Sequence, residues 1–297
     1  MVVGSSRSRN AAAFLFLLPS LMGLGVFFLL PIGSSLLMSL TDWDALQPMA
    51  TARLVGVSNF AELFRTPELY KVLSHTLTYM GLYIPLVIIA SLVEANLLAK
   101  DFRGLRLYKV MFYLPVITSW VAGSLIWRWV LNSKYGFLNN WLLAIGIQGP
   151  PWLSSQTWAM PGIVLAAVWK DTGYYALIFL AALKSINRSY YEAAAVDGAR
   201  GWRVFTRITL PLVSPTIFFV LVINVINGFQ VFDSVWVMTH GGPVEATTVI
   251  AERIFRNAFT YYKMGFAAAY SWILFAFILV ATVVQMRIQN RWVNYDA

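Results

Sequence analysis

Long apolar runs recur along the 297-residue chain and constrain its fold more than any other feature. A helix that crosses the hydrocarbon core of a membrane needs about 20 predominantly apolar residues. Only 12% of the residues are charged, whereas a soluble domain has about 25%. This composition excludes a soluble enzyme and a nucleic-acid-binding protein, and it predicts an all-α polytopic membrane protein. The six predicted transmembrane helices are residues 13–38, 76–98, 110–131, 157–183, 211–237 and 265–286.

The first apolar run begins shortly after Arg7 and Arg9, as a signal peptide does. It continues through Pro31 to Met38, which is longer than the apolar region of a typical signal peptide, and it lacks a clear cleavage motif. We therefore expect an uncleaved first span. Pro19 and Pro31 are candidates for kinks within it.

Basic residues are distributed unevenly between the predicted loops. If the N-terminus is cytoplasmic, the cytoplasmic segments hold 13 lysines and arginines and the outer loops hold 7. Because basic residues collect in cytoplasmic loops of membrane proteins, both termini are predicted to lie inside. The chain then divides into a cytoplasmic N-terminus (1–12), a six-span transmembrane domain (13–286) and a cytoplasmic C-terminus (287–297).

The residue inventory excludes several kinds of chemistry. The chain has no cysteine and two histidines, His75 and His240, so a disulfide, an iron–sulfur cluster and a protein-only zinc cluster are not expected. No Ser/His/Asp constellation indicates a catalytic site. A P-loop requires a Gly-Lys pair, and none occurs in the chain. We predict no catalytic residue, no metal site and no cofactor here, so any ATP hydrolysis must occur in a partner.

One cytoplasmic segment, residues 184–210, is too polar to cross a membrane and too patterned to be a simple tether. Ser189 and Glu192 have the spacing of a capping box, which predicts a helix from Tyr190. Gly198 suits a left-handed helix C-cap. A second amphipathic stretch has apolar residues at a spacing of three, namely Trp202, Phe205 and Ile208. The pattern fits docking onto a partner and lying on the membrane surface about equally well.

The same segment resembles the EAA signature of binding-protein-dependent ABC importer permeases. That signature is EAA, three residues, G, nine residues, I, one residue and LP. Every interval is matched, by Glu192, Ala193, Ala194, Gly198, Ile208, Leu210 and Pro211. The preceding stretch WKDTGYYALIFLAALKSIN and the outer-loop stretch GGPVEATT resemble the carbohydrate-type branch of this family, which includes permeases for maltose-like oligosaccharides and for glycerol-3-phosphate.

The resemblance implies a type I ABC importer permease in a bacterial or archaeal cytoplasmic (inner) membrane. Residues 184–210 would carry a coupling helix that fits a cleft of a separate ATPase subunit. The seated residues would be Glu192, Ala193, Ala194, Asp197 and Gly198. The residues that anchor the segment to span five would be Ile208, Leu210 and Pro211. The implied partners are a second, related permease chain in a heterodimer, two ATPase subunits that bind ATP and Mg, an extracytoplasmic solute-binding protein and membrane lipid.

Several charged residues fall inside the predicted spans, where a charge costs about 2.5–3.5 kcal/mol or more. Lys170 and Asp171 are adjacent in span four, and side chains of adjacent residues do not face each other on a helix. We expect each to have its own partner in a structural role, rather than a role in solute transport. Arg128 is expected to anchor span three at the outer interface, and Glu94 to reach the inner interface.

Span five has the best candidates for solute contact. Asn224, Asn227 and Gln230 recur every three residues beside Gly228. Amide side chains both donate and accept hydrogen bonds, so they can bind sugar hydroxyls, although they can equally tie helices together. Asp233 projects about half a turn from Asn224 on a helix and is expected on a different surface.

Two further sets of residues are weaker candidates. Tyr174 can stack on a sugar ring or simply pack against protein. Gly241, Gly242 and Pro243 are typical of a turn, and the resemblance adds contact with the solute-binding protein.

The leading hypothesis is therefore the permease subunit of an ATP-driven importer for a carbohydrate or polyol. The alternative is a gradient-driven secondary carrier, which needs no ATPase. A scaffold or a membrane-embedded enzyme is a third hypothesis, and no constellation of residues supports the enzyme.

Overall fold

The computed structural model describes residues 6–100 and 103–294. Five residues of the predicted N-terminal segment and three of the predicted C-terminal segment lie outside the described residues. The described ranges contain no β-strand, and an isolated bridge pairs Thr41 with Leu54. The α-helices are α1 Ser6–Leu24, α2 Leu30–Ser39, α3 Ser58–Arg65, α4 Pro67–Leu98, α5 Leu105–Ile117, α6 Trp120–Val130, α7 Phe137–Ala144, α8 Ala159–Ser185, α9 Arg188–Val196, α10 Trp202–Val204, α11 Leu210–Leu212, α12 Ser214–Phe229, α13 Asp233–Met238, α14 Ile250–Phe255 and α15 Met264–Ile288.

Three π-helical turns and two short 3₁₀ turns complete the helical structure. The π turns are Gly25–Leu29, Phe205–Thr209 and Arg256–Thr260, and the 3₁₀ turns are Met49–Thr51 and Gln289–Arg291. The chain forms two compact units. The first contains residues up to Thr66 together with Ile254–Ile273, and the second contains Pro67–Arg253 together with the residues from Leu274 onward.

In the first unit, the helical run Ala13–Ser39 has no buried residue in its most apolar window, so its apolar side chains face outward as a lipid-facing helix requires. The end of this run is fixed by Asn59 of α3, whose amide nitrogen donates to the carbonyls of Ser39 at 2.9 Å and Thr41 at 2.8 Å. These bonds satisfy carbonyls that the helix end would otherwise leave without partners.

The second unit is built around the packing of α4 on α8. Val87 of α4 and Phe179 of α8 are completely buried, and the Ser91 hydroxyl donates to the Thr172 carbonyl at 3.1 Å. On another side of α8, a Cβ placed at Gly173 would lie 2.2 Å from the Phe112 carbonyl oxygen of α5. Small residues therefore let three helices approach closely, as is common in membrane proteins.

Four helices in the described ranges are long and apolar enough to cross a membrane, namely Ala13–Ser39, Pro67–Leu98, Ala159–Ser185 and Met264–Arg291. Two helix pairs pass the same test only when taken together, and both are bent. Leu105–Ile117 and Trp120–Val130 meet at 106°, and Trp202–Leu212 and Ser214–Phe229 meet at 67°. The count is six if each bent pair crosses once, so six spans remains a prediction.

The structure corrects the predicted third and second spans. The predicted helix 110–131 is broken, because Thr118 and Ser119 are extended and the Ser119 hydroxyl accepts from the amide of Ala122 at 3.2 Å to cap α6. The second span's helix begins at Pro67 rather than residue 76. Proline is favoured in a first helical turn, and apolar patterning finds only the part of a helix that lies in the membrane.

The predicted fifth span, 211–237, is also divided. The helix restarts at Ser214, with Pro215 in its first turn, and ends at Phe229. Because proline lacks an amide hydrogen, it cannot continue the hydrogen-bonding of the preceding turn. A separate helix, α13, follows from Asp233.

Candidate functional site

Residues 184–210, the predicted cytoplasmic segment, contain a short helix, as predicted, but with a different N-cap. The side chain of Asn187 accepts from the amide of Ser189 at 3.0 Å, so α9 begins at Arg188. Asparagine is among the best N-cap residues, and its position places Ser189 inside the first turn. The predicted capping box is therefore wrong. Glu192 instead pairs with Arg188 one turn away, at 3.1 Å.

The C-terminus of α9 is closed by its own backbone. Gly198 has φ of +71°. Its amide donates to the Ala195 carbonyl at 3.2 Å, and the Ala199 amide donates to the Ala194 carbonyl at 2.8 Å. This pair of hydrogen bonds defines the Schellman motif, which needs a residue in the left-handed conformation, usually glycine. The conformation predicted for Gly198 is confirmed.

Two apolar side chains of this segment are largely exposed to solvent. Val196 is 88% exposed and Trp202 is 76% exposed, and the Trp202 ring stacks on Phe205 at 5.5 Å. Ala194 is buried, so its side chain packs against the rest of the protein rather than facing outward. The other predicted seated residues, Glu192, Ala193, Asp197 and Gly198, are exposed, and the predicted anchors Ile208, Leu210 and Pro211 are half-buried.

A cavity of about 450 Å³ opens between the helices of the second unit. Aromatic rings form much of its wall: Tyr79 and Tyr83 of α4 stack at 5.3 Å, and Tyr174 meets Tyr175 edge-on at 5.1 Å on α8. Polar side chains share the same space. The polar and acidic residues that line it are Asp171, Asn227, Gln230, Asp233 and Ser234.

Lys170 and Asp171 each have a partner of their own, as predicted. The Tyr83 hydroxyl donates to Asp171 Oδ2 at 2.7 Å. Lys170 Nζ donates to the carbonyls of Pro115 at 3.1 Å and Val116 at 3.2 Å. The ammonium group therefore fastens α8 to the end of α5, whereas the carboxylate lines the cavity.

The predicted amide stripe reaches the cavity only in part. Asn227 and Gln230 line it, and so does Tyr174, whereas Asn224 does not. Asn224 is buried, and its amide nitrogen donates to the Val220 carbonyl of its own helix at 2.8 Å. Residues three apart on a helix drift by about 60°, which turns Asn224 away from the space that Asn227 faces.

Asp233 lies on the same cavity as Asn227 and Gln230, so it is separated from Asn224, as expected, but not from the rest of the amide stripe. The projection from Asn224 assumed a continuous helix, but α12 ends at Phe229 and residues 230–232 are not helical. This break turns the chain back, and Asp233 joins Gln230 at the cavity wall.

Four aromatic lining residues, Tyr79, Tyr83, Trp120 and Phe232, were not predicted as site residues. Trp120 reaches the cavity because it begins α6 directly after the break in span three. The Thr-Ser pair at residues 118–119, inside an apolar run, is the sequence signal for that break, since serine is a strong N-cap residue.

The loop around Gly241, which is predicted to lie outside, is held to α4 and α14 by an ionic cluster. Glu245 accepts from Lys71 at 3.0 Å and from Arg253 at 2.9 Å, and Arg253 lies 2.6 Å from Glu68. Hydrogen bonds from Arg253 and then from Lys71 lower the pKa of Glu245 to about 2. The carboxylate therefore stays charged until the pH falls to about 2, and its ion pairs hold the loop in place.

The three residues predicted to contact a binding protein differ in exposure. Gly241 is buried, and Gly242 and Pro243 are half-buried and line a second cavity of about 380 Å³ together with Arg128. Val244, which is 76% exposed, is the most prominent apolar point of the loop.

Comparison with known proteins identifies the class of protein that this fold and motif define. The family described as "Binding-protein-dependent transport system inner membrane component" matches residues 54–294. The chain belongs to this family. It is a membrane-spanning permease subunit of an ABC importer.

Individual relatives match over nearly their whole length. The probable ABC transporter permease protein YesP of Bacillus subtilis (strain 168) is 35% identical over 99% of this chain and 95% of its own. The sn-glycerol-3-phosphate transport system permease protein UgpA of Yersinia pestis is 36% identical over 95% of both chains. The lactose transport system permease protein LacF of Rhizobium radiobacter is 33% identical over 94% of both chains.

Solved structures share the fold. A crystal structure of a bacterial ABC transporter involved in the import of the acidic polysaccharide alginate matches with a TM-score of 0.82 and 26% identity, over 96% of both chains. A second structure of the alginate transporter, in complex with alginate pentasaccharide-bound periplasmic protein, matches with the same TM-score and coverage and 25% identity.

Proposed function

We propose that this chain forms one half of the translocation pathway for a carbohydrate or related polyol and is driven by separate ATPase subunits through α9. The relatives named for lactose and for sn-glycerol-3-phosphate support this class of solute. The cavity combines stacked tyrosines with amide and carboxylate groups. Aromatic rings suit the apolar face of a sugar ring, and the polar groups suit its hydroxyls.

The observation that carries the coupling proposal is the exposed apolar end of α9. Backbone hydrogen bonds close the end of α9, and Val196 at that end and Trp202 at the start of α10 are both exposed. Exposed large apolar groups that cluster are typical of interaction sites. Because the EAA signature falls on this helix, an ATPase subunit is the partner that we propose for it.

The structure also offers a route from α9 to the cavity. The Tyr191 hydroxyl lies 3.2 Å from the Thr209 hydroxyl, which joins α9 to the helical run Trp202–Leu212. That run leads through the 67° bend into α12, whose end carries Asn227. Movement of α9 by the ATPases would therefore move a cavity wall, and ATP binding would favour one of two permease states over the other.

The complete assembly that we propose contains a second, related permease chain, two ATPase subunits that bind ATP and Mg, and an extracytoplasmic solute-binding protein. It lies in the cytoplasmic membrane with both termini of this chain inside. The binding-protein-dependent character of the family and the periplasmic protein in the alginate transporter complex support the last of these partners. The exposed Val244 and the fastened loop around it offer a contact surface for that protein.

A glycine substitution tests the coupling role of α9. Gly198→Ala puts a side chain on a residue with φ of +71°, which costs about 1 kcal/mol and disturbs the helix end. We expect this variant to lose most of the ATPase activity that liganded binding protein stimulates in the reconstituted complex, and to retain less ATPase subunit on purification. Gly146→Ala is the matched control, because Gly146 also has a positive φ of +81° and open space around it but lies outside the segment.

Normal stimulation and normal assembly of Gly198→Ala would contradict the coupling role, as would equal losses in both variants. The secondary-carrier alternative predicts uptake by this chain alone, abolished by an ionophore. We expect uptake to require the ATPases and to persist when the ionophore is present.

A further inference from the structure

The charged groups that line the cavity in the described part of the chain are all acidic. Asp171 and Asp233 contribute carboxylates, and no lysine, arginine or histidine is among the lining residues. Asp233 is exposed at the cavity wall. Asp171 is half-buried, with Tyr83 bound to one of its oxygens at 2.7 Å.

The nearest cation is turned away from this space. Lys170 is buried, and its ammonium group donates to two backbone carbonyls at the end of α5. It also lies over the Trp120 ring, 5.2 Å from the centroid. Trp120 is one of the residues that line the cavity, whereas Lys170 is not. A negative group on a solute in this cavity would therefore meet carboxylates and no cationic side chain among the described residues that line it.

The relatives do not decide the charge of the solute. At 33–36% identity, one is named for lactose, which is uncharged, and another for sn-glycerol-3-phosphate, which is anionic. The matching structures belong to a transporter of an acidic polysaccharide. The residues that line the cavity are therefore the evidence that separates uncharged from anionic solutes.

We propose that the cavity between α4, α8 and α12 selects an uncharged carbohydrate or polyol and rejects anionic sugars and sugar phosphates. This inference rests on the proposed function. A carboxylate accepts hydrogen bonds from hydroxyl groups, and such charge-assisted bonds are stronger than neutral ones. The same carboxylate repels a phosphate or uronate group, and the low dielectric of a membrane cavity strengthens that repulsion.

The potential in the cavity can be measured without knowing the solute, because the chain has no cysteine. Gln230→Cys places a single thiol at the cavity wall near Asp233. The assembled transporter is treated with a cationic reagent, 2-(trimethylammonium)ethyl methanethiosulfonate, or an anionic one, 2-sulfonatoethyl methanethiosulfonate. Mass spectrometry of this chain gives the rate at which each reagent modifies the thiol. The rates at which the two reagents react with 2-mercaptoethanol in solution give their intrinsic rate ratio.

We expect the cation-to-anion rate ratio at Gln230→Cys to exceed the intrinsic ratio by about tenfold. Adding Asp233→Asn should reduce this excess several-fold. Asn227→Cys provides a second position should Gln230→Cys fail to assemble. A ratio at or below the intrinsic one, or one that Asp233→Asn leaves unchanged, would overturn the proposal.

Transport by the complete complex in proteoliposomes separates this inference from the proposed function. The panel is lactose and maltose against sn-glycerol-3-phosphate and an alginate trisaccharide, with binding of each to the isolated binding protein measured first. ATP-dependent import confined to uncharged sugars supports the proposal. Import of an anionic solute at a comparable rate, or a binding protein that binds only anions, overturns it. A complex that imports no solute its binding protein binds would contradict the proposed function instead.

Discussion

At the scale of single residues, the contact between Tyr83 and Asp171 fixes the chemistry of the cavity. A carboxylate in a membrane-spanning helix needs a donor, because an unpaired charge there is costly. Tyr83 provides that donor at 2.7 Å, and the bond leaves the second carboxylate oxygen available. The bond therefore both stabilises the charge and sets its orientation.

Removing this donor should destabilise the protein. Tyr83→Phe keeps the ring but leaves Asp171 without its hydroxyl partner. Polar contacts between membrane helices average about 0.6 kcal/mol, whereas bonds to charged groups contribute about 1.5–3 kcal/mol. Because the acceptor is a carboxylate, we expect a loss of roughly 1–2 kcal/mol in the free energy of unfolding in mixed micelles.

Tyr79→Phe is the matched control, since Tyr79 stacks on Tyr83 and has no hydrogen bond to Asp171. We expect it to change the unfolding free energy by less than half as much. Equal losses in the two variants would show that the hydroxyl of Tyr83 contributes nothing specific.

At the scale of elements, α8 organises the second unit because its small residues admit neighbouring backbones. At Gly173 the Phe112 carbonyl occupies the place of a side chain. At Gly228 of α12 a Cβ would lie 2.8 Å from Met80 Cγ of α4. These contacts bring α5 against α8 and α12 against α4, and residues of α4, α8 and α12 line the cavity.

Enlarging Gly173 should separate α5 from α8. Gly173→Ala places a methyl group against backbone, which cannot move as a side chain can, so we expect a destabilisation of about 1–3 kcal/mol. The measurement is thermal unfolding of the purified complex. Gly123→Ala on α6 is the control, because its nearest neighbours are side-chain atoms 3.8 Å away. It should be neutral or slightly stabilising, since alanine favours helix more than glycine does. Equal melting temperatures for both variants would contradict the close packing at Gly173.

At the scale of the whole molecule, the number of spans and the side of each loop follow from how the two bent helix pairs cross the membrane. With six spans and both termini inside, the loop after α6 lies outside and the end of α15 lies inside. The excess of basic residues on the predicted inner side supports this arrangement.

Thiol labelling in whole cells tests this topology. Tyr135 and Asn290 are both exposed, and a cysteine at either position is the only one in the chain. We expect a membrane-impermeant maleimide to label Tyr135→Cys in spheroplasts, and Asn290→Cys only after permeabilisation. Labelling of both from outside would mean an even number of crossings between them, and labelling of Asn290→Cys alone would reverse the orientation.

Local features were predictable because short-range rules govern them. The left-handed conformation of Gly198 follows from the backbone needs of a helix end, and the membrane class follows from apolar runs. The N-cap of α9 was misplaced by two residues, at Ser189 instead of Asn187, because both residue types are good caps.

The sequence by itself determined that this chain lies in a membrane, approximately where it crosses, and which polar segment between the spans carries the EAA signature. Only the tertiary structure decided which polar residues share a cavity. Trp120 and Asp233 reach it because helices stop at residues 118–119 and 230–232, and a helical projection assumes that they continue. Non-helical backbone at membrane depth is tolerated only where it is buried in protein or lines a cavity. Whether such shelter exists depends on residues distant in the chain, which local sequence patterns do not contain.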